Sequence, residues 1–172
     1  MLRSSILFIG IVLLLGCTSK KEQELMQAYH DKINYHKLLQ KTEKTQLYEN
    51  NVTKVMLTAT YLYTPNYEKN DTRDEVFIVG IHLEDEESVY TDTQEYNLTL
   101  NNKSVKEIKS LALDDVRLKD VSFVSEWGSY YLVTFPHVSS KKLTLVLDSE
   151  EYGKGILHFA KVAKYVLSKE TF

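Results

Sequence analysis

Five histidines, one cysteine, a few paired acids and one dense aromatic run are the residues of this 172-residue chain that could carry chemistry. His30 and His36 are six apart, not the i,i+4 spacing that puts two imidazoles on one helix face. His82, His137 and His158 fall on three separate strand-like segments. We therefore expect structural or exposed histidines and no metal ligands. A serine nucleophile sits in a sharp turn between glycines, as in G-x-S-x-G; Gly128-Ser129 follows Trp127 without the second glycine. Asp114-Asp115 are adjacent on a polar turn. Acid and base work needs two carboxylates held across a cleft, so a cap or solvent role is expected here. The run Glu84–Glu87 lacks the alternating oxygens and bend glycine of a calcium loop, and no glycine-rich phosphate loop is present. The chemistry expected is that of a non-enzyme without a cofactor.

Recognition is a better prospect. The run Trp127–Tyr131 (WGSYY) places Trp127, Tyr130 and Tyr131 together, and Trp and Tyr dominate binding hot spots because they bury much area at low entropy cost. The ordinary reading competes: at strand spacing Trp127, Ser129 and Tyr131 share a face, and Trp127 with Phe135 would fill the core. Tyr61, Tyr63 and Tyr67, near a loop, raise the same question. A second pattern concerns modification. Asn-x-Ser/Thr occurs at Asn51, Asn70, Asn97 and Asn102, with Glu49, Glu68 and Glu95 two residues before the first three. This resembles the extended bacterial N-glycosylation sequon. Asn51 and Asn70 lie in expected loops, where a glycan can be accommodated.

The elements that must position these residues are mostly strands. Val55, Leu57, Ala59 and Tyr61 share one face, with Met56 and Leu62 on the other. Val76–Leu83 is apolar on both faces at its start, which marks a central strand. Tyr96, Leu98 and Leu100 alternate, as do Tyr131, Val133 and Phe135, then Leu143, Leu145 and Leu147, then Leu157 and Phe159. Val105–Leu111 reads as the return strand after a turn at Asn101-Asn102-Lys103. Pro136 points to an edge or a bulge. Residues 112–126 lose the period and read as a long connection with a helical turn near Asp115–Lys119. Four glycines follow residue 16, so turns must rest on Asn and Asp, which tolerate left-handed backbone. The expected fold is mainly β: an antiparallel Ig-like sandwich of about seven or eight strands over residues 45–172, without the Cys…Trp…Cys spacing of antibody domains. A closed lipocalin-like barrel is the alternative. Ahead of it, Lys20 to about Lys44 is free of Gly and Pro and rich in helix formers, with Met26, Tyr29 and Ile33 at helical spacing; an amphipathic helix is predicted.

The chain opens with Arg3, an apolar run Ile6–Leu15, then Gly16-Cys17 and the polar Thr18-Ser19-Lys20-Lys21. Charged, apolar and small in that order is the layout of a signal peptide, and the run is shorter than the roughly 20 residues that span a bilayer. Leu14-Leu15-Gly16-Cys17 resembles the lipobox of bacterial lipoproteins. The resemblance covers residues 1–17 and implies cleavage after residue 16, with Cys17 as lipid acceptor and residues 17–44 as tether and helix. Two or more acyl chains hold a protein on a membrane stably. Thr18, where an Asp would favour the inner membrane, implies the outer membrane, on its periplasmic or its surface face. Cys17 is the only cysteine, so no disulfide is expected. Cleavage removes Arg3 alone among the charged groups and takes the net charge from −3 to −4. That argues against nucleic acid, which needs a basic patch. The function expected is a binding or envelope-assembly module with a protein partner. A carrier of a small apolar ligand in a sandwich or barrel cavity is the alternative, and an enzyme ranks third.

Overall fold

Two Asn-Asn pairs set the chain reversals that glycine usually makes. Asn50-Asn51 and Asn101-Asn102 all have positive φ, between 47° and 66°, the pattern of a type I′ hairpin turn. The structure, a computed structural model, describes residues 20–64, 71–84 and 96–161. The chain divides into two compact units between Asn34 and Tyr35. The first carries helix α1 (Lys20–Asp31), whose Leu25, Met26 and Tyr29 are each more than half exposed. A second helix, α2 (Ile33–Leu39), leads into the other unit. The single helix predicted to reach about Lys44 is thus broken at Lys32 and ends early. The hydroxyl of Thr42 donates to Leu38 O at 2.8 Å and lies 2.8 Å from Thr60 Oγ1, turning the chain into a strand three residues before the predicted start.

The second unit is mainly β, with antiparallel sheets. One sheet has the order β1-β2-β3-β7-β6, from β1 (Thr42–Glu49), β2 (Val52–Tyr61), β3 (Glu75–Leu83), β6 (Glu107–Leu111) and β7 (Ser129–Phe135). The other has the order β5-β4-β8-β9, from β4 (Tyr96–Leu100), β5 (Lys103–Ser104), β8 (Lys142–Ser149) and β9 (Gly153–Ala160). The arrangement is that of a β-sandwich. Nine strands stand among the described residues, one more than the upper expectation, because a short strand at Lys103–Ser104 precedes the predicted return strand, which itself starts at Glu107. Lys103–Ser104 pairs with β4, the chain crosses at Val105-Lys106, and Glu107–Leu111 pairs with β7 in the other sheet. Strand β3 lies between β2 and β7, as its two apolar faces require. Strand β7 is also interior, so Pro136 marks its end and neither an edge nor a bulge within it.

The period-2 faces pack inward as read. Val55, Leu57, Ala59, Tyr61, Leu98, Leu100, Val133, Phe135, Leu143, Leu145, Leu147, Leu157 and Phe159 join one buried cluster with Phe77 and Val79. Each large apolar side chain so buried contributes roughly 1.5–3 kcal/mol. The rings of Tyr61, Phe77, Phe135 and Phe159 touch in sequence, with centroids 4.7 to 5.9 Å apart for the three contacts of Phe77. Aromatic rings thus occupy the region between the sheets where a carrier would need a cavity. Trp127 does not join them: it is 64% exposed, because it precedes the strand in the connection between β6 and β7.

That connection builds a second core on the outer face of the larger sheet. Its 3-10 turn, η1 (Val116–Leu118), is capped by Asp115, whose carboxylate accepts from Arg117 N–H at 2.9 Å. The turn falls within the stretch where a helical turn was predicted. Leu118 and Val121 reach down onto Ile78, Leu111 and Tyr130, with Leu38, Leu62, Val124 and Leu132 at the margin. The connection covers only part of the face. Among the described residues, the rest, over β1, β2 and β3, is left uncovered.

Candidate functional site

The open part of that face is a groove of about 270 Å³. Its floor is Met56 and Thr58 of β2 with Gly80 and His82 of β3 and the backbone of Ile81, whose side chain packs on the inner core; its far wall is Lys44 of β1, and its near wall is Phe123, Ser125 and Trp127 of the connection. The outward residues of β2 alternate with its core residues, which is why Met56 faces the groove while Val55 and Leu57 are fully buried. Phe123 is 55% exposed and Trp127 64% exposed. The ammonium of Lys44 lies 5.4 Å from the Phe123 ring centroid, within cation–π range.

The near wall is held by one tyrosine and one histidine. Tyr130 is buried, and its hydroxyl accepts from Ser125 N–H at 2.7 Å; its own proton faces Ser125 O at 3.2 Å and Phe123 O at 3.4 Å. His82 Nδ1 lies 2.8 Å from Trp127 O. A carbonyl only accepts, so Nδ1 carries the hydrogen and donates. Two glycines make room for the Tyr130 ring. A Cβ on Gly80 would lie 2.6 Å from Thr58 Oγ1 and 2.8 Å from Tyr130 Cε1, and one on Gly128 would lie 2.6 Å from the Tyr130 hydroxyl.

Two features of this wall are unfavourable for stability. Phe123 has φ +65°, the left-handed region that a bulky side chain rarely adopts. Next to it, the Ser122 hydroxyl is buried and finds no hydrogen-bond partner among the described residues, a state that costs about 1–3 kcal/mol. Strain of this kind persists only where the surroundings over-determine it, and it clusters at functional sites.

The predicted aromatics separate. Trp127 reaches the surface, Tyr130 is the buried strut beneath it and offers no recognition surface, and Tyr131 packs half-buried against the inner core. Tyr61 is core, stacked between Tyr63 and Phe77. Asn51 is exposed at its hairpin tip, Asn97 and Asn102 are exposed on β4 and its turn. Asn70, Tyr67 and the whole segment 1–17 with Cys17 lie outside the described residues. Among the described residues, no three of His, Cys, Asp and Glu come together as metal ligands.

Sequence reasoning missed a second cluster. Glu75 is 1% exposed at the start of β3. One carboxylate oxygen accepts from the Tyr61 hydroxyl; the other accepts from Val138 N–H at 2.9 Å and from Lys161 Nζ, which also donates to Val138 O. His137 Nδ1 stands 3.6 Å from the same oxygen and 3.0 Å from Arg73 O. The alternation carried the signal: one step back from Phe77 and Val79, Glu75 is on the inward face. Burial and the bonded carboxylate push the Tyr61 phenol far above its ordinary range. Both carboxylate oxygens have partners and the carboxylate is closed to solvent, so the cluster ties the two sheets together. No protein-family model, no curated protein and no solved structure matches the chain.

Proposed function

We propose that this chain is a bacterial lipoprotein, anchored in the outer membrane through acylated Cys17, whose domain is a non-catalytic binding or envelope-assembly module. The observation that carries the reading is the contrast between a core occupied by aromatic rings and a groove whose Phe123 and Trp127 stay in water on a strained, braced wall. A chain that keeps large rings exposed at a conformational cost uses them for contact. The sandwich is Ig-like in architecture, two antiparallel sheets over one core. Its strand order is its own: β1, β2 and β3 stay in one sheet, where antibody domains send the third strand to the opposite one.

The test compares native protein with Cys17→Ser, each carrying a photo-crosslinking residue at position 127, in the membranes of the expressing bacterium. The native form should gain the mass of a lipid anchor, fractionate with the outer membrane, and cross-link to one envelope protein that Cys17→Ser loses. Equal membrane association of both forms overturns the anchor. Absence of any cross-link from position 127, with the anchor intact, overturns the binding module.

A further inference from the structure

The groove's walls also say what would fill it. We infer that it takes a protein segment presenting an aromatic or large aliphatic side chain beside a carboxylate; this rests on the binding-module reading and specifies its partner. The apolar half follows from the lining. Met56 and the Phe123 and Trp127 rings supply carbon surface. A sugar or a polar metabolite would need several convergent polar groups to replace its water. One apolar anchor in a desolvated pocket is instead the usual centre of a protein contact.

The acidic half follows from charge complementarity. The domain belongs to a chain of net charge −3, yet among the described residues no carboxylate lines the groove, while the cation Lys44 does. That ammonium is already positioned over the Phe123 ring. A carboxylate flanking the anchor would pair with Lys44 without displacing the ring beneath it, while a cationic partner would meet only repulsion there. His82 has a fixed tautomer, Nδ1 donating to Trp127 O, so the ring braces the wall in one orientation.

Trp127 is the only tryptophan in the chain, so intrinsic fluorescence reports this groove alone. The full-length protein in detergent micelles would be titrated with three capped pentapeptides: Glu-Asp-Phe-Leu-Glu, Lys-Lys-Phe-Leu-Lys and Glu-Asp-Ala-Ala-Glu. The acidic aromatic peptide should shift the emission saturably. The basic one should bind roughly threefold to tenfold more weakly, the scale of a rim charge pair and its reversal, and the alanine peptide should give no response. Lys44→Glu should invert the order of the first two. Phe123→Asn, which keeps a residue that tolerates left-handed backbone, should abolish the response with the fold retained by circular dichroism. Equal binding of acidic and basic peptides, or an order unchanged in Lys44→Glu, overturns the acidic specificity while the contact surface stands. No response to any peptide overturns the inference; whether the binding module itself then survives is read from the cross-link at position 127.

Discussion

On the inner face of the larger sheet a charge is buried and fully satisfied; on its outer face two aromatic rings are left in water. The first arrangement is the reverse of what hydrophobicity alone would choose, and so is the second. At Glu75 of β3, four groups converge on one carboxylate, one from β2, two from the β7–β8 connection and one just after β9, so its burial joins the sheets at one end. At Phe123 and Trp127, the same kind of convergence, through Tyr130 and His82, holds rings away from the core that would bury them. Dense hydrogen bonding thus serves two ends: at the inner site it makes a costly residue part of the fold, and at the outer site it keeps favourable core residues outside it.

The comparison breaks most sharply at Lys161. Its side chain is 12% exposed and its Glu75 partner 1% exposed, so Lys161→Met would leave a carboxylate buried without its countercharge. Removing one partner of a buried ion pair costs about 3–5 kcal/mol, and a loss of that size in urea unfolding is expected. The double variant Glu75→Gln with Lys161→Met should recover most of it, because the uncompensated charge is gone. A cost under about 1 kcal/mol for Lys161→Met would mean that the inner site is only a surface ion pair.

The Tyr61 phenol sharpens the same side. Burial and Glu75 hold its proton in the folded state beyond the ordinary value of 10.0. Above about pH 10 the unfolded chain has lost that proton while the folded chain keeps it, so the folded state binds more protons and stability falls as pH rises. Below that pH the contribution is complete. Tyr61→Phe removes this alkaline slope but leaves one Glu75 oxygen without its donor, a loss of about 1–3 kcal/mol at neutral pH. Denaturant midpoints at pH 7 and pH 11 should show the gap between the two proteins narrowing at the higher pH. A constant gap would mean that Tyr61 does not keep its proton.

Most of the inner face was legible in the sequence and most of the outer site was not, for a physical reason. Strand faces follow a period of 2, so Val55 to Tyr61, Tyr96 to Leu100 and Leu143 to Leu147 declare their core side directly, and Asn50-Asn51 and Asn101-Asn102 declare their turns. Glu75 was readable by the same rule, one step beyond where the apolar run begins. The outer wall comes from residues 112–128, which have no period. There, exposure of Trp127 and burial of Tyr130 depend on one tyrosine hydroxyl and on the space above Gly80, which are tertiary facts. The switch between sheets was hidden likewise: β5 stays on β4, its hairpin neighbour, while β6, only Val105-Lys106 further on, pairs with β7, which is distant in sequence.

The smallest expected effect separates the two sites most cleanly. Phe123 at φ +65° is in a region that Asn tolerates and a bulky ring does not, and its ring is 55% exposed with the Lys44 ammonium 5.4 Å from its centroid. Relief of that strain should outweigh loss of an exposed cation–π contact, which is worth about 0.5–1 kcal/mol, because a residue held in a disfavoured region costs about 1–3 kcal/mol. Phe123→Asn should therefore leave stability unchanged or raise it by about 1 kcal/mol or less, read as a denaturant midpoint at constant slope. The same kind of change at the inner site, removal of one ring through Phe77→Ala, follows the core rule and costs about 3–5 kcal/mol. If Phe123→Asn were destabilising on that scale, the ring would be part of the fold and the outer face would have to be counted with the core. If it is neutral or stabilising while the peptide response disappears, Phe123 is kept against the preference of its own backbone for what it contacts.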